Sequence, residues 1–217
     1  MRSLKKQKQK REYRLHRRAE KRDETHLALA RAAFELHSSV GPSQTTVSAI
    51  AKKAGVQRLT VYRHFPDDAA IFAACTAYSF AEDPPPDPET WRAVADPERR
   101  LREALRGLYG YYRRKRRLLA NLYRDREMPV VAAALARRQE LIVRSIKILS
   151  EAWSPAASNG ARYLQAAIGL VIDFATWQSL AETLSDKEAI EMALVLVKAS
   201  AAVPTWAGEH ETDATDC

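Results

Sequence analysis

Val47, Ile50, Ala51 and Ala54 recur at i, i+3, i+4 and i+7, and Gly55 follows them. That spacing puts four apolar side chains on one face of a helix only about two turns long. Glycine then supplies the left-handed residue that ends it, and Thr45 or Thr46 is placed to cap its start. Val56 points back to the core, and a second short helix is predicted from about Gln57 to His64. At 100° per residue Val61 and Phe65 share its inner side, while Leu59 and Arg63 lie opposite, flanked by Thr60 and Tyr62. The outward side is therefore not a generic Lys/Glu surface. Two helices this short need a scaffold, and the preceding segment offers one. From Thr25, Leu27, Ala30 and Phe34 mark one stripe and Leu29, Ala33 and Leu36 another, ending near Gly41-Pro42.

The rest of the chain repeats the helical period. Only 7 glycines occur in 217 residues, and no alternating apolar/polar run is bounded by turn residues. The fold class expected is all-α: an N-terminal helix-turn-helix three-helix domain, then a C-terminal helical domain that also carries dimerisation. Pro66-Asp67-Asp68 stops the third helix and caps a fourth over about 67 to 81, ahead of the proline-rich "DPPPDPETWRAVADP". Leu101, Leu105, Leu108 and Tyr112 then predict one helix, Leu118, Leu119 and Leu122 a shorter one, and Val131, Leu135, Ile142 and Leu149 a long one. The last two helices, about 161 to 183 and 186 to 202, are each apolar on two faces. Leu164, Ile168 and Val171 line one side of the first; Ala167, Leu170, Phe174 and Trp177 line another. In the second, Ile190, Leu194 and Val197 are matched by Ala189, Met192, Leu196 and Val203, after a capping box at Ser185 and Glu188. A helix apolar nearly all round must be covered on both sides, so a homodimer through a four-helix bundle of these two helices is expected.

Charge is distributed unevenly. Residues 1–22 hold 11 Lys/Arg against 2 acidic groups, and the remainder holds 24 against 25, so the whole formal charge of +8 comes from the N-terminal arm. Such a run binds polyanions by displacing their counterions. It can track a phosphate backbone or enter the adjacent minor groove, as other basic arms do. The domain limits that follow are 1–22 for this arm, 23–66 for the helix-turn-helix domain, 67–203 for the C-terminal helical dimerisation domain, to which the resemblance given below adds ligand binding, and 204–217 for a disordered acidic tail.

Other function classes lack their signatures. The longest uncharged apolar stretch, 163–172, is stopped by Arg162 and Asp173, well short of the ~20 residues that span a bilayer. No secretory h-region follows the basic N-terminus, so no membrane partner and a cytoplasmic, nucleoid-associated location are expected. Cys75 and Cys217 make neither a disulfide framework nor a metal site, and His26 and His37 lack metal-ligand spacing. Cys75 reads as a small buried hydrophobe. With no zincin pair, phosphate-cradling glycine loop or nucleophile elbow, no enzyme activity, metal or cofactor is expected.

A two-turn helix, a glycine turn and a second short helix match the helix-turn-helix plan, whose second helix lies in the major groove. Arg58 and Arg63 suit guanine O6/N7 or phosphate, Thr60 and Tyr62 suit phosphate oxygens, and Leu59 suits a thymine methyl. The stretch "TTVSAIAKKAGVQRLTVYRHFPDDAAIFAAC" resembles the DNA-binding domain of the TetR family of bacterial transcriptional regulators. Thr46, Ile50-Ala51, Ala54-Gly55-Val56, Thr60, Tyr62, Phe65 and Pro66 carry the match, which covers about residues 24–78. The resemblance implies a nine-helix, Ω-shaped homodimer that represses transcription and leaves a palindromic double-stranded DNA operator when a small-molecule effector binds. It places Ser48, Gln57, Arg58, Leu59, Thr60, Tyr62, Arg63 and His64 at the DNA, with Thr46 near a phosphate. Two departures stand out. Leu59 replaces glycine or another small residue, and Asp68 replaces a phosphate-contacting lysine.

In that architecture the effector, of unidentified chemistry, lies among the helices between 98 and 183. Tyr109, Tyr112, Asn121, Tyr123, Trp153, Asp173, Phe174 and Trp177 are the candidate lining residues, as aromatic or polar groups on apolar segments. Asp173, set between Ile172 and Phe174, must find a cation, a donor or a proton: a cationic ligand or an arginine across the dimer. The basic run 113–126 reads first as a solvated helix face.

Overall fold

Helix formation starts at Arg2, far ahead of Thr25, where the apolar stripe begins. A computed structural model of the protein describes residues 2–153 and 160–202, with side chains from Tyr13 onward. In it α1 runs unbroken over Arg2–Ser39. The basic arm is thus an extension of the first helix. Residues 2–24 contain neither glycine nor proline and are rich in Lys, Arg, Glu and Gln, all good helix formers that need no buried face to continue a helix already nucleated.

Two compact units share the chain: Met1–Pro84 with Ala120–Val131, and Pro85–Leu119 with Ala132–Cys217. In the first, α1 is followed by a 3-10 turn at Pro42–Gln44, then α2 (Val47–Lys53), α3 (Arg58–His64) and α4 (Asp68–Glu82). Thr46 caps α2, its hydroxyl oxygen accepting from the Ala49 amide at 3.1 Å. Gly55, at φ +68°, makes the turn expected of it. Asp67 caps α4 by accepting from Ala70 N at 2.7 Å. Leu29, Ala32, Ala33, Ile50, Ala51, Val61, Phe65, Ile71 and Cys75 form the core. Each large aliphatic or aromatic member contributes about 1.5–3 kcal/mol by leaving water, enough to hold helices too short to stand alone.

The junction after α1 is held by polar groups. Asn121 donates through Nδ2 to the His37 and Ser38 carbonyls (2.9 and 3.1 Å), satisfying orphan acceptors at the helix end. Asp125 accepts from the Ser43 amide at 3.0 Å and pairs with Arg124, whose Nη2 reaches the Val40 carbonyl. Arg124 first, with the Ser43 amide, brings the Asp125 carboxyl down to about 2. Gly41, at φ +95°, lies under the Arg124 guanidinium, where a Cβ would collide with Nη2. His37 is buried beside Phe72, with Nδ1 3.4 Å from Cys75 Sγ, and burial brings its pKa down to about 4.

A 3-10 helix at Pro88–Ala93 opens the second unit and leads to α5 (Pro97–Arg124), whose end from Ala120 belongs to the first unit, and α6 (Pro129–Ser150), which rejoins the second at Ala132; α7 (Gly160–Ile172), α8 (Phe174–Leu180) and α9 (Asp186–Ala201) complete it. Two expectations need correcting. The residues assigned to two helices around Tyr112 and Leu118 form the single helix α5, because the intervening Arg/Lys run carries no breaker. The helix expected over 161–183 is instead broken at Asp173, which is extended (φ −75°, ψ 144°) and accepts from the Ala175 amide at 2.8 Å. A short carboxylate that can bond the backbone two residues on favours a new N-cap over helix continuation. Ser185 and Glu188 close the predicted capping box at the start of α9. The expected apolar position Val203 and the tail 204–217 lie outside the described residues. Among the described residues there is no β-strand, and the chain is all-α.

Arg100, whose role no sequence pattern signals, is buried and clips this unit together. Its Nε donates to the Val94 carbonyl (2.7 Å) and its Nη1 to that of Ile148 (3.0 Å).

Candidate nucleic-acid interface and the C-terminal aromatic core

Val61 and Phe65 are buried at 0% and 2% exposure, which fixes the roll of α3 and turns its other side outward. Arg58, Leu59, Tyr62 and Arg63 are exposed there, with Thr60 partly covered. Leu59 is 57% exposed, which leaves its side chain free to meet an apolar group such as a thymine methyl. The Arg58 guanidinium donates to the Tyr62 hydroxyl through Nε and Nη2 (3.2 and 2.8 Å) and lies 5.5 Å from its ring centre. This i, i+4 pair stiffens two long side chains and leaves further guanidinium N–H groups for an acceptor. Gln57 stands at the N-cap without a side-chain cap bond, so its amide does not close the helix start. Thr46 and Ser48 are exposed at the start of α2.

His64 differs from its neighbours on α3. It is half-buried against α1, with its ring centre 5.9 Å from that of His26, and His26 in turn lies 4.7 Å from Phe65. Burial first, then the His26 and Arg22 charges, lowers its pKa. A neutral ring at this point keeps one donor and one acceptor available. Asp68 lies exposed in the first turn of α4, where its charge suits the helix dipole.

Residues 29–75 match the family model described as bacterial regulatory proteins, tetR family. The N-terminal domain is similar to the DNA-binding domain of that family over this stretch. Solved structures of TetR-family regulators resemble the fold beyond that domain. NalD, the secondary repressor of the MexAB-OprM multidrug efflux pump in Pseudomonas aeruginosa, shares 23% identity over 83% of this chain and 97% of its own, with a TM-score of 0.58. A TetR-like transcriptional regulator from Rhodococcus sp. RHA1 shares 23% over 82% and 93%, at 0.53. Thermus thermophilus FadR, solved in complex with lauroyl-CoA, shares 23% over 82% and 96%, at 0.51. These likenesses show the fold. No curated protein matches the sequence.

The eight residues expected to line an effector site separate into distinct environments in the TetR-type structure. Tyr109, Tyr112, Phe174 and Trp177 form one buried aromatic cluster, with Tyr112 and Phe174 edge-on at 5.6 Å. Its polar atoms are already bonded: Tyr109 and Tyr112 donate to the Val171 and Ile172 carbonyls (2.9 and 2.6 Å), and Trp177 Nε1 donates to Asp186 at 3.3 Å. Those two carbonyls end α7 where Asp173 breaks it, so the tyrosines satisfy acceptors that the break exposes. Burial raises the Tyr109 phenol, which stays protonated. Asn121 is engaged at the end of α1, and Tyr123 is half-buried near the end of α5. Trp153 follows α6, its amide bonded to the Ser150 carbonyl at 3.1 Å.

A cavity of about 20 Å³ adjoins the cluster, lined by Pro86, Tyr111, Tyr112, Arg138, Ile142 and Ser145 among others. Of the eight candidates, Tyr112 alone lines it. It holds about one water molecule, against the several hundred Å³ of a drug-sized site. The basic run divides likewise. Lys115 is buried, Arg113 pairs with Asp186 at 2.5 Å, and Arg116 and Arg117 are exposed.

The surfaces of α7 and α9 carry apolar groups that their own unit leaves uncovered. Tyr163 and Leu170 are exposed on α7, and Met192, Val195 and Leu196 on α9. Phe174 and Trp177, expected on one stripe with Ala167 and Leu170, are buried whereas Leu170 is exposed, because the break at Asp173 redirects α8. Among the described residues no helix is long and apolar enough to cross a membrane.

Proposed function

We propose that this chain is a sequence-specific transcriptional repressor that binds a palindromic operator as a homodimer and is released by a small-molecule effector. The carrying observation is the outward face of α3, where Arg58, Leu59, Tyr62 and Arg63 stand exposed on a helix whose roll is set by buried Val61 and Phe65. A major groove about 12 Å wide admits such a helix, and the two arginines match guanine acceptors or phosphates. Thr46, Ser48, Gln57, Thr60 and His64 complete the contact set, with Thr46 and Ser48 on the backbone side.

Self-association uses the uncovered stripes of α7 and α9. A second copy is the occupant that a palindromic site requires, since two reading helices must stand about one helical turn, roughly 34–36 Å, apart. The effector enters the second unit by enlarging the small cavity beside Tyr112, which means that it binds an opened conformer in preference to the packed one. That differential affinity is what shifts the population toward release. NalD and FadR, both described as repressors, support the regulatory reading.

Selection of genomic fragments by the purified chain tests the proposal. An enriched palindrome with half-sites one turn apart is expected; enrichment no better than random DNA would leave an interaction protein without operator reading.

A further inference from the structure

The N-terminal part of α1 sorts its charges by face. At about 100° per residue, Arg14, Arg17, Arg18, Lys21 and Arg22 fall within about 140° of one another, whereas Asp23 and Glu20 fall on the other side and Glu24 borders the stripe beside Arg17. All eight are exposed. Arg14, Arg18, Lys21 and Arg22 form no ion pair among the described residues, and Arg17 lies over the Tyr13 ring at 6.0 Å. A solvated helix mixes its signs along each face to gain i, i+4 pairs; this one forgoes most of them.

The stripe also leads somewhere. Arg14, Arg18, Arg22 and His26 follow one another at intervals of four, a single row along the helix surface, and the last of them is the residue whose ring meets His64 and Phe65 at the end of α3. The row therefore starts at the reading helix and runs outward along α1, which continues to Arg2, about 34 Å beyond Thr25. Five cations on one face, continuous with the helix that carries the DNA reading, are complementary to a line of phosphates.

We infer that the N-terminal extension of α1 is a helical rail that binds the phosphates flanking the segment read by α3, without regard to sequence. The inference rests on the DNA reading of α3. It replaces the minor-groove alternative for the arm, because a helix about 10–12 Å across does not fit a groove about 6 Å wide. The opposite face, carrying Glu20 and Asp23, turns away from the duplex.

The test uses the full chain and a labelled mixed-sequence duplex of about 40 bp, titrated at several salt concentrations. Replacing Arg14, Arg17, Arg18 and Lys21 together by Gln makes the plot of log affinity against log salt shallower by about one for each phosphate no longer neutralised, and lowers affinity at least about tenfold near physiological salt. The pair Glu20→Gln and Asp23→Asn, on the opposite face, leaves that slope unchanged. Ala19→Pro keeps every charge but breaks the helix through the stripe, and reduces the slope as well. A wild-type slope in the fourfold variant overturns the rail, and a wild-type slope in Ala19→Pro overturns its helical form in favour of a flexible tail. Tighter binding of the wild type to phosphatidylglycerol vesicles than to the duplex, abolished in the fourfold variant, assigns the stripe to a membrane and overturns it too. A hydroxyl-radical footprint of the unaltered protein on the selected fragment probes the same point without substitutions: protection extending beyond the half-sites supports the rail, and its absence refutes it. Failure of the α3 reading is distinguishable, since it shows as no enriched site while the mixed-sequence slope still responds to the fourfold change; the flanking placement then falls with it.

Discussion

Tyr62 on α3 and Tyr112 on α5 invite the same first reading, an aromatic ring with a polar tip on a helix near a binding surface. Tyr62 is exposed, and its hydroxyl accepts from Arg58 on the same helix. Tyr112 is buried, and its hydroxyl donates to the Ile172 carbonyl 60 residues away. The first tyrosine belongs to a surface built from local spacing, with functional atoms pointing at solvent. The second belongs to a core built from distant segments, where each polar atom answers a need inside the protein. Outward polar groups on a short, well-anchored helix are available to a partner; inward ones are already used.

Four experiments bear on that contrast. Trp177→Ala should cost about 3–5 kcal/mol of stability, since a side chain only 1% exposed leaves a cavity in the aromatic cluster. A melting midpoint indistinguishable from wild type would show that the cluster can collapse, or that it is a ligand site rather than a core. Acid should weaken the first unit through His37. Its folded pKa, about 4, lies below the ordinary 6.5, so between those values the unfolded chain takes up the proton that the folded one refuses. Stability therefore falls as pH drops from about 6.5 to about 4, by up to about 3 kcal/mol, and levels off in this respect below. His37→Leu should flatten denaturant midpoints across that window, and an undiminished slope there would exclude His37 as the cause.

The uncovered apolar stripes are the intermediate case, outward like Tyr62 but apolar, and covered by a second copy in the proposed homodimer. Leu170 and Val195 are 56% and 65% exposed, so replacing both by Glu should leave the fold intact. Sedimentation should then report a 24.4 kDa monomer, with operator affinity lower by about a hundredfold, or about 2.8 kcal/mol. Unchanged sedimentation would move the interface elsewhere. The smallest effect belongs to the reading helix. Arg63→Ala should cost about 1–3 kcal/mol of operator binding, relax preference at one base pair, and leave stability within about 0.5 kcal/mol. Equal losses on operator and random duplex would make Arg63 a phosphate contact.

The reading helix is legible in the sequence because everything that orients it is local. Val61 and Phe65 are four residues apart, Gly55 supplies its own turn, and the Thr46 cap needs only the Ala49 amide three residues on. Such effects depend on backbone geometry that any helix shares. The arm is legible as a charge excess but not as a helix, since propensity without an apolar stripe gives no periodic signal. Asp173 stands out as a carboxylate among apolar residues, yet its partner is the backbone amide of Ala175, so what reads as a recognition group is a helix break. Arg100 gives no signal at all, because its acceptors are carbonyl groups, and these look the same in every sequence.

The amino-acid order by itself determined the all-helical class, the helix-turn-helix with its outward residues, and the basic excess of the first 22 positions, because each follows from spacing or composition within a few turns of one helix. Tertiary structure decided which aromatic groups became core, where α7 gave way to α8, and that the row Arg14, Arg18, Arg22 ends against α3 through His26. Those outcomes depend on which carbonyls and rings meet across long stretches of chain, and only packing brings them together.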